Sequence, residues 1–232
     1  MTGPTSAPAA AGTTSERIHA QLRADILGGR HPAGEPLPSE RRLSQELGAS
    51  RHVVREALKR LQQSGLVSIS HGGATRVRDW RRHGGLELLL DLARTGDAPE
   101  ALHAPRGTME MRACIGADAA RRCAERANAE IKTQLQARAE QLAALDALEA
   151  RNAHYELLWD LIVEGADNVA YRLAFTTLVA GQRIADVTPL AVAAELRDTD
   201  AIRALVSAIA LADAEVAHKR GRDLLERSIP AD

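Results

Sequence analysis

Cysteines, long apolar runs and aromatic side chains are all scarce in this sequence of 232 residues. The two cysteines, Cys114 and Cys123, lie nine residues apart, which fits neither a paired C-x-x-C metal site nor a disulfide framework. We expect both to be small buried apolar residues. No run of eighteen apolar residues occurs, and the N-terminus lacks the basic-then-apolar order of a signal peptide. We therefore expect neither export nor membrane insertion, but a cytoplasmic location.

The charge of the chain is unevenly distributed along its length. Apolar residues make up 45% and charged residues 26%, which is ordinary for a globular protein with a packed core. Residues 15–83 contain thirteen Lys and Arg against seven Asp and Glu, a net charge of +6, so the remainder carries −7 of the total of −1. A basic first third followed by an acidic remainder indicates one module for a polyanion and another for a different partner.

The first eighty residues predict a short tail and three helices. Residues 1–14 are small, polar and proline-containing, and we expect a disordered tail. Apolar residues at helical spacing, each group preceded by a serine cap and followed by a glycine, then predict three helices. The predicted caps are Ser15, Ser39 and Ser50.

A hairpin is predicted directly after the third helix. Two alternating runs, 66–70 and 75–78, flank the sequence HGGA, which is typical of a β-hairpin with a glycine-containing turn. The order of helix, helix, tight turn, helix and hairpin is that of a winged helix-turn-helix, which we place at 15–79.

The rest of the chain predicts helices alone, so the fold class is mainly α. Residues 80–107 are interpreted as a leucine-rich linker helix followed by a loop. Residues 108–230 are rich in Ala, Leu, Arg and Glu and predict an all-helical effector-binding bundle. Its helices are predicted at 108–128, 129–150, 153–166, 168–187, 189–196 and 198–227.

Basic and polar side chains are predicted to lie along one edge of the third helix, beside its apolar stripe. These residues are Arg51, His52, Arg55 and Lys59. A recognition helix in the DNA major groove needs such an edge, because an arginine fork can contact guanine O6 and N7 together. Phosphates are expected near the two helix N-termini, at Ser39, Glu40, Arg41 and Ser50. The wing tip, His71 and Gly72, is expected in the adjacent minor groove.

The stretch LPSERRLSQELGASRHVVREALKRLQQSGLV resembles the N-terminal domain of GntR-family transcription regulators. The family pattern of PSER, SR, VREAL and GLV is matched in order and spacing. The wing ISHGGATRVRDW and the continuation GLELLLDL are more similar to the fatty-acid-responsive FadR branch. The resemblance implies DNA contacts by Arg41, Arg51 and Arg55, minor-groove contacts by His71 and Gly72, and a homodimer on a palindromic double-stranded DNA operator.

The same resemblance implies a helical effector domain, often called FCD, in which most family members hold a metal through one Asp and three His. Aligning EGADN (164–168) and AIALAD (208–213) with the corresponding family stretches identifies the four ligand positions. They are occupied by Tyr155, Trp159, Ile202 and Leu224. None of these is a usable ligand, and His154, one residue away, lacks partners at the right spacing. We therefore expect no metal, no other cofactor and no metal-chelated carboxylate effector.

Four of the five aromatic residues form two i, i+4 pairs on consecutive predicted helices. The pairs are Tyr155 with Trp159 and Tyr171 with Phe175. One interpretation is core packing, because an alanine-rich bundle needs a few large side chains to fill space. The other is an apolar cavity closed by polar groups, for which Arg112, Asn168 and Arg183 are the candidates. An acyl chain fits such a cavity, so a fatty acyl-CoA or another lipid-derived molecule is the predicted effector.

Other functions remain open at this stage. The chain could regulate a different metabolic pathway through a carboxylate effector, which Arg112 could bind unless it forms a surface ion pair, or its pocket could be closed and ligand-free. A helical enzyme fused to a DNA-binding head is a further alternative. The second domain shows no Ser/His/Asp or Cys/His constellation and no phosphate-binding glycine loop, so catalysis is disfavoured.

Arg51→Ala is the substitution that tests the predicted docking of the third helix. It is expected to cost about 1–3 kcal/mol of operator binding and to relax the base preference, because the guanidinium fork is lost. Titration by gel shift or fluorescence anisotropy measures the loss, and an unchanged affinity would contradict this docking.

Overall fold

The computed structural model describes residues 13–70, 73–95, 99–184 and 189–230, without the side chains of 90, 93–102 and 179–190. The chain divides into two compact units, with the boundary between Ala101 and Leu102. The elements up to that boundary begin with α1 (Thr14–Leu27), α2 (Glu40–Glu46), α3 (Arg51–Gln63), β1 (Val67–Ile69), β2 (Thr75–Val77), α4 (Trp80–His83) and α5 (Leu88–Thr95). The remaining elements are helices: α6 (Pro99–Arg126), α7 (Ala129–Ala143), α8 (Leu148–Gly165), α9 (Val169–Ile184), α10 (Ala193–Arg197), α11 (Thr199–Ala210), α12 (Ala214–Leu225) and 3₁₀ turns at Pro189–Val192 and Glu226–Ser228. The mainly α fold class is confirmed.

Helix α1 begins two residues earlier than the sequence predicted. Its cap is Thr13 rather than Ser15, because the Thr13 hydroxyl accepts a hydrogen bond from the Glu16 backbone N–H while the Glu16 carboxylate accepts one from the Thr13 N–H. This reciprocal capping box pairs two backbone N–H groups, whereas a single serine cap would pair only one of them. The predicted tail 1–14 is therefore shorter, and its residues 1–12 lie outside the described part of the chain.

The caps of the next two helices are as predicted. The Ser39 hydroxyl accepts from the Arg42 N–H, and the Ser50 hydroxyl accepts from the Val53 N–H. Between α2 and α3 the chain turns at Gly48, which has a φ of +60°. The buried side chains of α1 and α3 pack against each other and form the core of this unit. They are Ile18, Leu22, Ile26, Val54, Ala57, Leu58 and Leu61.

The wing is a two-stranded antiparallel hairpin, in which Val67 pairs with Val77 and Ile69 with Thr75. The extended segment before α2 lies along the outer edge of β2, where the Leu37 N–H donates to the Thr75 carbonyl. The hairpin is thus hydrogen-bonded to the loop that leads into α2. The tip residues His71 and Gly72 lie outside the described residues.

The helical unit buries its apolar side chains between α6, α7, α8, α11 and α12. Two predicted boundaries were wrong. The single helix predicted at 198–227 is broken after Ala210: Ala212 has a φ of +59°, and the Asp213 carboxylate caps α12 by accepting from the Val216 N–H. The region predicted as 129–150 is likewise two helices, separated by a turn after α7.

The loop predicted before residue 108 is also different in the structure. Helix α6 already begins at Pro99 and continues through Pro105. Proline is favoured at the first helical position because its missing N–H would have no partner there, so Pro99 starts a helix where the sequence was interpreted as a linker. Of the two cysteines, Cys123 is buried as expected, whereas Cys114 is exposed. Within the described residues, no helix is both long and apolar enough to cross a membrane.

Gly65, which ends α3, packs closely against the backbone after the wing. Its φ is +74°, and a Cβ there would lie 2.2 Å from the carbonyl oxygen of His83. Gly48 also has a positive φ, but a Cβ at that position would meet nothing within 4 Å. Of these two glycines, only Gly65 is therefore constrained by both backbone conformation and space.

Gly65→Ala is expected to destabilise the first unit by at least about 1 kcal/mol more than Gly48→Ala, because only the former adds a backbone clash to the cost of the left-handed conformation. Urea unfolding followed by circular dichroism gives both free energies. Equal losses would show that the close approach between Gly65 and His83 does not exist in solution.

Candidate functional site

The predicted DNA-contacting residues of α3 lie together on an exposed edge. Arg51, His52, Arg55 and Lys59 are all exposed, while the opposite side of the helix carries the buried residues Val54, Ala57, Leu58 and Leu61. Arg41, in the first turn of α2, is exposed as well. Among the described residues, neither Arg41 nor Arg51 forms an ion pair or side-chain hydrogen bond. Their guanidinium groups are available for an external polyanion.

Arg55 is paired across the helix-turn-helix rather than free. Its Nε and Nη2 donate to the two Glu40 carboxylate oxygens at 3.1 and 2.8 Å. The hydrogen bonds from Arg55 hold the pKa of Glu40 below its usual value, and the charge of Arg51 adds to this effect. Glu40 was predicted as a DNA contact, but in the free protein its geometry is that of a residue that orients Arg55.

A groove runs between the recognition helix and the wing. Its wall contains Ser39 and Glu40 from the start of α2, Arg55 and Lys59 from α3, and the hairpin residues Ile69, Ser70 and Thr75. Lys59 also contacts Glu56 at 2.9 Å on its own helix. The structure thus brings four of the ten predicted DNA contacts into one groove. Arg41, Ser50, Arg51 and His52 lie outside its lining, and His71 and Gly72 are not described.

The helical unit contains an apolar cavity of about 60 Å³. Three predicted effector residues with aromatic rings, Tyr155, Trp159 and Phe175, line it, as does Arg112. The Tyr155 and Trp159 rings meet edge to face, with centroids 6.1 Å apart. The described lining residues are Arg112, Ile115, Gly116, Ala119, Asn152, Tyr155, Glu156, Trp159, Val163, Phe175, Leu178, Val192 and Leu225. A cavity of this volume can hold roughly four to six water molecules.

Two residues of the cavity lining, Arg112 and Tyr155, take part in a buried cluster with Glu195. Arg112 on α6 donates from Nη1 and Nη2 to the two Glu195 carboxylate oxygens at 2.6 and 2.8 Å. The Tyr155 hydroxyl on α8 donates to the same carboxylate at 2.6 Å. Glu195, on α10, is 0% exposed, and the Arg112 side chain is 15% exposed. Arg112 is therefore neither a surface residue nor a free cation.

The electrostatics of this cluster follow from burial. Burial alone lowers the pKa of Arg112, but the charge and hydrogen bonds of Glu195 outweigh it and raise that pKa above the usual value. Burial and the charge of Glu195 together raise the pKa of Tyr155 well above its usual value. Both groups stay protonated as donors, and the carboxylate accepts from both. The cluster is electrically neutral, with each charge satisfied inside the protein.

Two other predicted effector residues, Asn168 and Tyr171, are not among the described residues of the cavity lining. The Asn168 side chain accepts hydrogen bonds from the backbone N–H groups of Ala170 and Tyr171 at the start of α9. The Tyr171 hydroxyl donates to Asp118 at 2.7 Å. Both were predicted to line the site, but their polar groups stabilise the helical packing instead. Arg183 lies in α9, and its side chain is outside the described residues.

Asp118 is the acceptor at the centre of a second polar cluster. Arg121 and Arg122 donate to its two oxygens at 2.8 and 2.6 Å, in addition to the Tyr171 hydroxyl. Burial raises the pKa of Asp118, but these three donors together lower it well below its usual range. Tyr171 is thereby fixed between α9 and α6, which explains why its ring is half-buried without lining the cavity.

Glu195 is the residue that sequence reasoning missed. The predicted short helix around it, PLAVAAEL, contains a single acid among apolar residues, which is the only local sign of a buried charge. Its partner Arg112 lies 83 positions away, so no helical spacing could connect the two.

The four positions that the family resemblance assigns to metal ligands all lie in the core. Tyr155, Trp159, Ile202 and Leu224 are each at most 5% exposed. Across the described segments, no group of three or more His, Cys, Asp or Glu side chains is placed to hold a metal. The side chains at these positions fill space that a ligand set would otherwise occupy.

Comparison with known proteins agrees with this geometry. The family described as bacterial regulatory proteins, gntR family, matches residues 14–77. The HTH-type transcriptional regulator Mce2R of Mycobacterium tuberculosis is 39% identical over 217 residues, covering 91% of this chain and 88% of that protein. The fatty acid metabolism regulator protein of Vibrio cholerae is 42% identical over 76 residues, covering 33% of this chain and 27% of that protein.

Among solved structures, Lar, which controls the expression of the Listeria monocytogenes agr system and mediates virulence, aligns over 94% of this chain and 95% of that one, with a TM-score of 0.55. At 16% identity this likeness shows the fold alone.

A capped helix-turn-helix with a wing and a basic recognition helix defines a DNA-binding transcription regulator. The chain belongs to the GntR family of these regulators. Its family and relatives are regulators of transcription and not enzymes.

Glu195→Ala is expected to cost about 3–5 kcal/mol of unfolding free energy, because it leaves the Arg112 charge buried and unpaired. The matched control is Glu140→Ala, which breaks an exposed pair with Arg203 and is expected to cost at most about 1 kcal/mol. Urea unfolding followed by Trp159 fluorescence, in a Trp80→Phe background, reports on the helical unit alone. Similar losses for the two variants would refute the buried pairing.

Proposed function

We propose that this chain acts as a homodimer that binds a palindromic operator and changes its operator affinity when a lipid-derived molecule occupies the helical unit. The DNA-binding part of this proposal rests on the exposed basic edge of α3. Arg51 and Arg55 stand at the N-terminal half of a helix whose other side is fully packed, so the helix can enter a major groove without losing its core.

Each predicted contact has a distinct role in this proposal. Arg51 and Arg55 read base edges, with guanine as the partner that a guanidinium fork fits best. Arg41 and the N-terminal backbone of α2 and α3 neutralise phosphates and fix the register. His52 and Lys59 lie on the same edge of α3. Ser39 and Ser50 cap their helices and face the phosphate backbone of the DNA. His71 and Gly72 reach the minor groove at the wing tip.

The small size of the surface that reads base edges supports a dimer. Only three or four side chains of one recognition helix reach base edges, which is too few to single out one site in a genome. Two copies related by a two-fold axis read two half-sites, and the operator then repeats as a palindrome. The family resemblance supports the same arrangement.

The aromatic lining of the cavity supports a lipid-derived effector. Tyr155, Trp159 and Phe175 surround an apolar space with few polar groups, as ligand sites in helical bundles commonly do. The relative named as a fatty acid metabolism regulator matches only 33% of this chain, so its name adds modest support. Because its volume is about 60 Å³, the cavity must widen to admit a long acyl chain. The free energy of this widening reduces the affinity for a fatty acyl-CoA.

A pocket that stays closed is the second candidate. The small volume and the core positions of Tyr155 and Trp159 favour it, because well-packed interiors resist opening. Under this alternative the chain binds its operator without a small-molecule signal.

Operators selected from random DNA duplexes with the full chain are expected to contain an inverted repeat and to bind two chains per duplex, as measured by light scattering during size exclusion. Palmitoyl-CoA is then expected to change the operator Kd by about fivefold or more, as typical allosteric couplings do. At 100 times its own Kd it is expected to raise the unfolding free energy by about 2.7 kcal/mol.

The matched control for DNA binding is Arg60→Ala, which removes an exposed arginine from the same helix but outside the predicted edge. It is expected to change operator affinity much less than Arg51→Ala. Unchanged unfolding and operator binding with palmitoyl-CoA would favour the closed pocket, and a non-palindromic operator bound by one chain would contradict the dimer.

A further inference from the structure

Arg112 and Tyr155 hold the Glu195 carboxylate in the way that proteins hold the carboxylate of a bound acid. The two Nη atoms of Arg112 donate one to each carboxylate oxygen, and the Tyr155 hydroxyl adds a third donor at 2.6 Å. A guanidinium fork of this kind is the strong and geometrically specific mode of carboxylate recognition. The three residues belong to α6, α8 and α10, so the arrangement is not a local capping contact.

The donors and the acceptor differ in their relation to the cavity. Arg112 and Tyr155 belong to its lining, whereas Glu195 is not among the described lining residues. The Glu195 side chain is 0% exposed, so its carboxylate is out of contact with solvent. Within the lining that the structure describes, Arg112 is the one cation. The group in the cavity wall best suited to bind an acid is therefore already bound to a carboxylate of the same chain.

A free acid competes poorly for Arg112 in this arrangement. Glu195 is part of the same chain, so it occupies the position without the loss of translational freedom that a free ligand undergoes. A second carboxylate beside Glu195 would be buried without a cation of its own, which is far less favourable than burying a neutral group. Displacing Glu195 would instead leave the Glu195 charge unpaired in the interior.

We propose that Glu195 is a built-in ligand, which occupies a carboxylate-binding position formed by Arg112 and Tyr155 and thereby excludes free fatty acids and other carboxylates as effectors. Glu195 determines this specificity, because its removal opens the position to an external carboxylate. The exclusion of acids rests on the effector function proposed above and narrows it to effectors without a free carboxylate at Arg112. The occupation of the position by Glu195 does not depend on that function.

Glu195→Ala with sodium acetate tests the occupied position. The substitution deletes a CH₂–COO⁻ group, which acetate supplies as a free molecule. Acetate at ten times its Kd is expected to raise the ratio of folded to unfolded chains about tenfold, because it binds the native state alone. Urea unfolding followed by Trp159 fluorescence, in a Trp80→Phe background, measures this ratio. Sodium chloride at equal ionic strength is the baseline, and acetamide, which has the same shape without the charge, is expected to have no such effect.

Two further variants test where acetate binds. Adding Arg112→Met to Glu195→Ala removes the cation and is expected to abolish the response to acetate. Glu140→Ala deletes the same group from an exposed pair with Arg203 and is expected to respond no more than the wild-type protein, because water already solvates that arginine.

The proposal would be overturned if Glu195→Ala gained no stability from acetate beyond the chloride baseline, or if the double variant gained as much. If Glu195→Ala is unfolded in chloride, the fluorescence is expected to report refolding when acetate is added, and a failure to refold would equally overturn the proposal.

Isothermal titration calorimetry of the wild-type chain at pH 8 tests the exclusion of acids without any variant. The probes are octanoate and octanamide, which have eight carbons each and differ in charge. The wild-type protein is expected to bind octanoate no more tightly than octanamide, and tighter binding of octanoate would overturn the exclusion. If palmitoyl-CoA still shifted operator affinity after that result, the effector function would survive. A response of Glu195→Ala to acetate without any effect of palmitoyl-CoA would overturn the effector function and leave Glu195 as a built-in ligand.

Discussion

The arrangement of the helical unit depends on one ion pair that lies out of water. Arg112, Tyr155 and Glu195 come from α6, α8 and α10, and each satisfies the polar groups of the others. Separating α6 from α10 would leave a charge buried alone, which proteins avoid more strongly than the loss of an apolar contact. Separating α8 would cost Glu195 the hydrogen bond from the Tyr155 hydroxyl. The pair therefore fixes how three helices meet, and two members of the cluster, Arg112 and Tyr155, also line the cavity.

The DNA-binding half could be predicted in detail because its signals are local. Ser39 and Ser50 cap helices whose donors lie within three residues, and the apolar stripe of α3 repeats within one helix. The hairpin follows from alternation and a glycine turn. Even here the Glu40 to Arg55 contact, which spans 15 positions, was not foreseen, because it depends on how α2 and α3 cross.

The effector half could be predicted only as a helical bundle with an aromatic cluster. Tyr155, Trp159 and Phe175 line the cavity that one of the two interpretations of the aromatic pairs expected, and Tyr155 and Trp159 share a helix face at i, i+4. Tyr171 and Asn168 are not in the lining, because their polar groups have partners in the same unit that spacing cannot reveal. The missed break after α11 has a similar origin: a left-handed residue and a new cap interrupt a periodicity that continues across it.

The Glu40 carboxylate acts as a resident counterion for Arg55. An arginine that approaches DNA usually gains from the release of ions condensed on the DNA. Arg55 must in addition leave Glu40 before it can contact a base edge. Every encounter with DNA bears this cost, but only a sequence that offers a well-placed base edge offsets it. In the docking proposed above, the pair therefore disfavours contacts of Arg55 with random DNA more than its contacts with the operator.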